Sequence, residues 1–348
     1  MTDQPMDHPE VEYRAYTRED EEQILDLLRV AMKQEAFPDL AGFWRWKHYD
    51  NPFGESPGMV AIGDGKVVGL RVFLRWEWRV GPTTFRAVRA VDTATHPEWK
   101  RHGIFEHMTT AMIERLTADG VDFIFNTPNQ YSMPGYLKMG WTLVGRLPLR
   151  IRPQRPTRLA KVAAQRSGLG GATAILETVD NSAVLDVLRQ DEVRHLVDRA
   201  GHAAAQRQDR NVFETAKTQA YLEWRYGQNR WYAYKAAFRM KGDSGALVIC
   251  RTSRRGALDE LLVTDVVALP DARSRRLAAR LTRQLAKETG ADYVAASGMA
   301  ETLGLADCYI PVGQKGPNMT VRPLKDGLVP DTRSFASWGA SFGDLELF

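Results

Sequence analysis

Val91-Asp92-Thr93-Ala94-Thr95-His96-Pro97-Glu98-Trp99-Lys100-Arg101-His102-Gly103-Ile104-Phe105-Glu106-His107-Met108 starts as an apolar strand. It passes through a proline and a basic turn, meets a glycine and enters a helix. Such a junction gathers free backbone N–H groups and the positive end of a helix dipole at one point, which is what a phosphate group needs. Gly103 has no Cβ, so an anion can approach the main chain there, and Lys100 and Arg101 add positive charge. The competing reading is an ordinary helix start behind a solvated basic turn.

On the N-terminal side, Val11 to Tyr16 alternates like a short strand, and Thr17-Arg18-Glu19-Asp20 has the pattern of a helix cap before Glu21 to Lys33. A short helix from about Leu40 to Tyr49 carries Phe43, Trp44 and Trp46. Gly58 to Ile62 and Lys66 to Trp78, joined at Gly63-Asp64-Gly65, read as a hairpin, and Thr83 to Ala94 as the next strand. On the C-terminal side the helix runs from about Gly103 to Ala118 and stops at Asp119-Gly120. Val121 to Phe125 then reads as a strand, Asn129 to Met139 as a short helix and Trp141 to Ile151 as a final strand. Pro148 to about Ala172, rich in Arg, Pro and Gly, reads as a linker.

Beyond this linker the chain repeats its first half. Trp46-Lys47-His48-Tyr49-Asp50-Asn51 is echoed by Trp224-Arg225-Tyr226-Gly227-Gln228-Asn229. Asp92 and Pro97 are echoed by Asp265 and Pro270, Asp119-Gly120-Val121-Asp122-Phe123 by Thr289-Gly290-Ala291-Asp292-Tyr293, and Tyr136 and Gly140 by Tyr309 and Gly313. The echoes come in the same order. In the second copy, however, Arg276 stands where Gly103 stands and Thr302 where Asn129 stands.

Composition narrows the function classes. With 47 Lys+Arg against 43 Asp+Glu in 348 residues, the excess of positive charge is too small to indicate a nucleic-acid protein, and no basic run is interleaved with aromatics. It suits anionic small substrates. Two cysteines, Cys250 and Cys308, supply neither a disulfide framework nor a metal cluster. No apolar run is long enough to cross a membrane and Met1 to Glu10 is polar and acidic, so a cytoplasmic protein without a membrane partner is expected.

The first half resembles the GNAT superfamily of acyl-CoA N-acyltransferases. The family's coenzyme loop reads Gln/Arg-x-x-Gly-x-Gly/Ala; here Lys100-Arg101-His102-Gly103-Ile104-Phe105 keeps the central glycine and departs at its last position. A second family pattern, Asn, then Tyr, then Gly and an aromatic, is matched by Asn129, Tyr136, Gly140 and Trp141. The resemblance implies an α/β fold of two tandem GNAT-like domains, each a mixed, mainly antiparallel sheet flanked by helices. The expected division is residues 1–155 with the acyl-CoA loop, a linker at 156–175, and 176–348 with a degenerate loop. It implies acetyl-CoA or another acyl-CoA as cosubstrate, no metal, and a small-molecule amine as acceptor. The tandem layout, with a tail like Ser337-Trp338 to Gly343-Asp344, also resembles GNAT proteins that acylate amino sugars on nucleotide carriers. The assembly is expected to be a monomer or a homodimer.

The same resemblance implies site residues. Backbone groups of Arg101, His102, Gly103, Ile104 and Phe105 hold the pyrophosphate, with charge added by Lys100 and Arg101, and those of Thr93, Ala94 and Thr95 pair with the pantetheine and polarise the thioester. Phe105 points either into the core, leaving its N–H free, or outward against the coenzyme. Tyr136 is the proton donor to the departing thiolate or a buried aromatic, and Asn129 binds pantetheine or caps a helix. Asp92 is the candidate base, although its echo in Asp265 equally suits a structural carboxylate; His96 and a water chain are the other bases. Besides acyl transfer to a small amine, the readings open are a non-catalytic CoA-binding or assembly protein and a peptide or antibiotic N-acetyltransferase.

Overall fold

Along Lys66–Val80 successive side chains point to opposite faces, so Leu70, Val72, Leu74, Trp76 and Trp78 share one side and Gly69, Arg71 and Phe73 the other. Both sides are buried, and the chain builds its first sheet around this strand. The computed structural model describes residues 10–32, 34–164, 177–207, 211–297, 309–312 and 316–345. In chain order the first half contains β1 (Val11–Ala15), α1 (Glu21–Met32), α2 (Leu40–His48), β2 (Gly58–Gly63), β3 (Lys66–Val80) and β4 (Thr83–Thr95). It continues with α3 (Ile104–Ala118), β5 (Phe123–Asn126), α4 (Met133–Lys138), β6 (Thr142–Arg146), β7 (Leu149–Pro153) and α5 (Pro156–Ala164). The second half contains α6 (Ser182–Leu188), α7 (Asp191–Gln206), β8 (Glu214–Thr215), α8 (Gln219–Leu222), β9 (Tyr234–Lys241), β10 (Ser244–Arg255) and β11 (Leu258–Ala268). It ends with α9 (Ala272–Glu288), β12 (Tyr293–Ser297), β13 (Ile310–Pro311), β14 (Asn318–Pro323) and α10 (Phe342–Leu345).

The strands form two mixed sheets, in the orders β1-β2-β3-β4-β5-β14-β6 and β13-β7-β12-β11-β10-β9. Each is antiparallel except for one pair, β4–β5 in the first and β11–β12 in the second, joined by a crossover helix (α3 and α9). The two sheets exchange strands. β14, from the end of the chain, lies between β5 and β6, and β7, from the first half, lies between β12 and β13. The single strand expected over Trp141 to Ile151 is therefore two strands in different sheets. Leu147 and Pro148 make the break: buried Leu147 donates its N–H to Pro317, and Pro148 has none to give.

A single apolar cluster spans both halves. Trp44, Trp46, Trp76 and Trp78 share it with Phe213, Trp224, Trp231 and Trp338, all nearly fully buried. The free edge of β3 beyond β2 is covered by β8, which pairs Thr215 with Trp78 and accepts the Trp76 indole N–H on the Thr215 hydroxyl at 2.7 Å. On the opposite face α3 packs closely, because a Cβ at Gly69 would stand 2.6 Å from the Ile104 side chain.

Candidate active site

β4 and β5 are paired only at Ala87–Arg89 against Phe123–Phe125. Past Arg89 this pairing ends, and the edge of β4 from Ala90 to Thr95 that would face β5 has no strand partner among the described residues, while its other edge stays bonded to β3. Thr93, Ala94 and Thr95 thus present main-chain groups to an open cleft. A bulge at Asp92, whose φ is +36°, separates Val91 from Thr93 in the pairing with β3.

The basic turn joins this end of β4 to α3. Arg101 (φ +71°) and Gly103 (φ +72°) both adopt left-handed conformations. Gly103 precedes α3, and no side chain among the described residues caps that helix. The first helical bond runs from the His107 N–H to the Gly103 carbonyl, so the amides of Ile104, Phe105 and Glu106 lack an acceptor among the described residues. A Cβ at Gly103 would meet nothing within 4 Å, so the approach to these amides is open. Lys100, Arg101 and His102 are exposed around them. This donor set fits a pyrophosphate.

Phe105 points inward. Its ring lies edge-on to Tyr136, with centroids 6.0 Å apart, and the Arg71 guanidinium sits 5.5 Å from its centroid. Its bulk therefore stays off the face its amide presents. Tyr136 is buried on α4, and its hydroxyl accepts a hydrogen bond from Arg71 Nη1 at 3.0 Å. Arg71 also donates to the Thr93 hydroxyl. It is fully buried, and its Nε and Nη2 have no hydrogen-bond partner among the described residues. Arg71 is the residue sequence reading missed. Its signal was an arginine in the apolar run Val67-Val68-Gly69-Leu70-Arg71-Val72-Phe73. Asn129 is exposed, and its side-chain oxygen accepts from the amides of Tyr131 and Ser132 at 2.9 and 3.0 Å, fixing the turn into α4.

Asp92 turns to the other face, toward α2. Its Oδ2 meets Lys47 Nζ at 2.6 Å and His48 Nε2 at 2.8 Å, and His48 Nδ1 meets the Ser56 hydroxyl at 2.9 Å. Burial pushes the Asp92 carboxyl up, but the Lys47 ammonium and the His48 bond outweigh it and hold the group well below the usual carboxylate range. Burial likewise holds His48 below its ordinary value against the pull of Asp92, so the ring is neutral. His96, in the turn, is half-buried, with Nδ1 3.8 Å from Glu98.

The second half repeats the plan with different contents. The pair His48–Asp92 is matched by Tyr226–Asp265, but the bulge falls at Thr264, one residue earlier in that strand. α9 begins differently from α3. Asp271 caps it, accepting from the amides of Arg273 and Ser274 at 2.9 Å each, so two of the three donors left free on α3 are occupied here. The Thr302 position lies outside the described residues. No group of side chains suited to a metal occurs among the described residues, and no described helix is long and apolar enough to cross a membrane.

Comparison with known proteins agrees with this geometry. A family model described as an acetyltransferase (GNAT) domain matches residues 12–144. No curated protein matches significantly. Among solved structures, a GCN5-related N-acetyltransferase from Anabaena variabilis superposes with a TM-score of 0.61 at 14% identity, covering 91% of this chain and 73% of that one. Eis1 from Mycobacterium abscessus superposes with a TM-score of 0.55 at 13% identity, covering 91% and 74%, and a GCN5-related N-acetyltransferase from Kribbella flavida with 0.53 at 13%, covering 91% and 71%. Identities this low carry the fold alone, and it extends over both halves. Residues 12–144 form an acetyltransferase domain of the GNAT type, the domain of acyl-CoA-dependent acyltransferases, and the chain as a whole has the fold of GCN5-related N-acetyltransferases.

Proposed function

We propose that the first half moves an acetyl or short acyl group from acyl-CoA to the primary amine of a small acceptor. The observation that carries this reading is that Arg71 bonds both the Tyr136 hydroxyl and Thr93 on the edge of β4, while Phe105, at the start of α3, sets its ring edge-on to Tyr136. The pyrophosphate rests on the amides of Ile104, Phe105 and Glu106, with Lys100, Arg101 and His102 around it. The pantetheine lies along Thr93 to Thr95, where a main-chain N–H polarises the thioester carbonyl. The neutral amine attacks the carbonyl carbon, the C–S bond breaks, and Tyr136 gives its proton to the thiolate. Arg71, hydrogen-bonded to that hydroxyl, stabilises the negative charge left on the tyrosine oxygen.

Asp92 takes a positioning role in this scheme. A carboxylate already bonded to Lys47 and His48 and held far below its ordinary range is a weak base. It fixes the bulge that aims Thr93 into the cleft. The amine is then deprotonated through water. The tandem GNAT-like division, with the second half lacking the phosphate cradle, belongs to the same reading. An amino sugar leads the acceptors to be tested, ahead of peptide amino termini and aminoglycosides.

The test is thiol release from acetyl-CoA against a panel of amines, comparing wild type with Tyr136→Phe, alongside calorimetry with CoA. Absence of CoA binding would sink the reading. An unchanged rate in Tyr136→Phe would remove that residue from the acid role, and CoA binding without turnover on any amine would favour the non-catalytic alternative.

A further inference from the structure

The parallel pair of the second sheet splays as that of the first does. β11 meets β12 only through Glu260–Leu262, and beyond it Val263 to Leu269 line a cavity of about 490 Å³. α7, the stretch from Glu214 to Gln219 and the C-terminal turn at Ser341 and Asp344 form its other walls. Arg79 and Gly81, at the hairpin end of β3 and β4, also touch it. That end is opposite the one bearing Thr93 and Gly103, so this cavity is separate from the acyl-CoA cleft. With the start of α9 capped by Asp271, it has no cradle for a pyrophosphate.

Its floor contains two buried carboxylates. Asp265 is fully satisfied: it accepts from Tyr221 at 3.2 Å, from Ser341 at 2.9 Å and from Tyr226, and Lys217 Nζ lies 2.7 Å away. Asp344 is 1% exposed and not satisfied. Its Oδ2 accepts the Ser341 amide at 2.6 Å, while its Oδ1 has no hydrogen-bond partner among the described residues. The Thr215 hydroxyl stands beside this carboxyl, opposes the rise in its value, and accepts the Trp76 indole N–H at 2.7 Å. Arg89 donates to the Asp344 carbonyl oxygen at 2.9 Å and Arg225 to that of Gly343 at 3.5 Å. Leaving a buried acceptor unmade costs about 1–3 kcal/mol. Burial together with Asp265 pushes Asp344 up to about 6, against the pull of the Lys217 ammonium. Val197 and Ala200 on α7 and Val263 and Val267 on β11 give the walls an apolar strip, and Arg79, Asp198, His202, Arg207 and Arg275 also line the cavity.

We propose that this cavity binds a small organic amine as its ammonium ion, which donates to Asp344 Oδ1 while its apolar body lies between α7 and β11. The inference is independent of the acyl-transfer reading, because none of the residues assigned to that reaction lines the cavity.

The experiment is calorimetry of the full chain with 2-phenylethylamine, with 2-phenylethanol and phenylacetate as controls of matching shape. Two variants accompany the wild type. Asp344→Asn removes the charge. Gly201→Phe blocks the space from α7, where an added Cβ would meet nothing within 4 Å. The amine is expected to bind and the two controls not to, with each variant weakening the amine by at least about tenfold. Saturating CoA is expected to leave the amine affinity unchanged. Equal binding of the alcohol, no binding of the amine, unchanged binding in Gly201→Phe, or displacement by CoA would each overturn the proposal. If Asp344→Asn fails to fold, Gly201→Phe and the control ligands still decide it.

Discussion

Trp46 and Trp224 each donate the indole N–H to the other's carbonyl. Nε1 of Trp46 lies 2.9 Å from the Trp224 oxygen, and Nε1 of Trp224 lies 2.8 Å from the Trp46 oxygen, with the rings stacked at 5.2 Å. The two residues hold corresponding places in the repeated segments, so the reciprocal pair marks where the halves face each other. Both are buried, and Phe at either site would leave a carbonyl without its donor. Trp46→Phe or Trp224→Phe is expected to lower stability by about 1–3 kcal/mol in urea unfolding. The double variant should cost less than the sum, because each change disturbs a shared stack. Strict additivity would show that the two bonds act independently.

Gly103 and Asp271 stand at equivalent helix starts and should respond oppositely. A side chain at Gly103 is strained by its φ of +72° but meets no neighbour, so Gly103→Val is expected to cost only about 1–2 kcal/mol of stability. Its branched side chain would occupy the space before the free amides, and CoA affinity should fall by at least about tenfold. Asp271→Ala should cost about 1 kcal/mol through the lost cap and leave CoA affinity as it was. Calorimetry and thermal melts of both variants check this; equal loss of CoA binding in the two would place the coenzyme elsewhere.

Arg71 and Tyr136 form one unit in the proposed reaction. Tyr136→Phe is expected to lower kcat by about 10²-fold. Arg71→Met should lower it comparably, and the double variant should be little worse than either. KM for acyl-CoA should change less than kcat in Tyr136→Phe, since the ring remains against Phe105 and Trp141. Multiplicative losses in the double variant would separate the two residues.

The sequence made the local features legible. The glycine before α3, the hairpin turn at Gly63-Asp64-Gly65 and the buried tryptophans are each determined by neighbours in the chain or by side-chain type. Arg71 was hidden because its partners, Tyr136 and Thr93, are brought to it only by sheet pairing. The same holds for Lys47, His48 and Ser56, which read as parts of a helix and a turn until the bulge at Asp92 aims a carboxylate at α2. The strand exchange left no local trace. Leu149–Pro153 reads alike in either sheet, and only the pairing with β12 and β13 decides where it lies.

Asp344 gives stability a pH dependence with a defined sign. Its folded-state value is raised, by burial first and then by Asp265, to about 6, against about 3.9 for a free carboxyl. Lys217 opposes the shift, and Arg89 and Arg225 donate to the carbonyls of Asp344 and Gly343 in the same turn. A raised value means that the folded chain holds this proton more tightly than the unfolded chain. The contribution is fully present below about pH 4 and is lost as pH rises through about 6. Asparagine cannot ionise, so the Tm of Asp344→Asn minus that of wild type should rise between pH 4 and pH 7. A constant difference across that range would mean that Asp344 titrates as an ordinary carboxyl. 2-Phenylethylamine at pH 7 supplies the missing cation, so it should raise the wild-type Tm and leave that of Asp344→Asn almost unmoved.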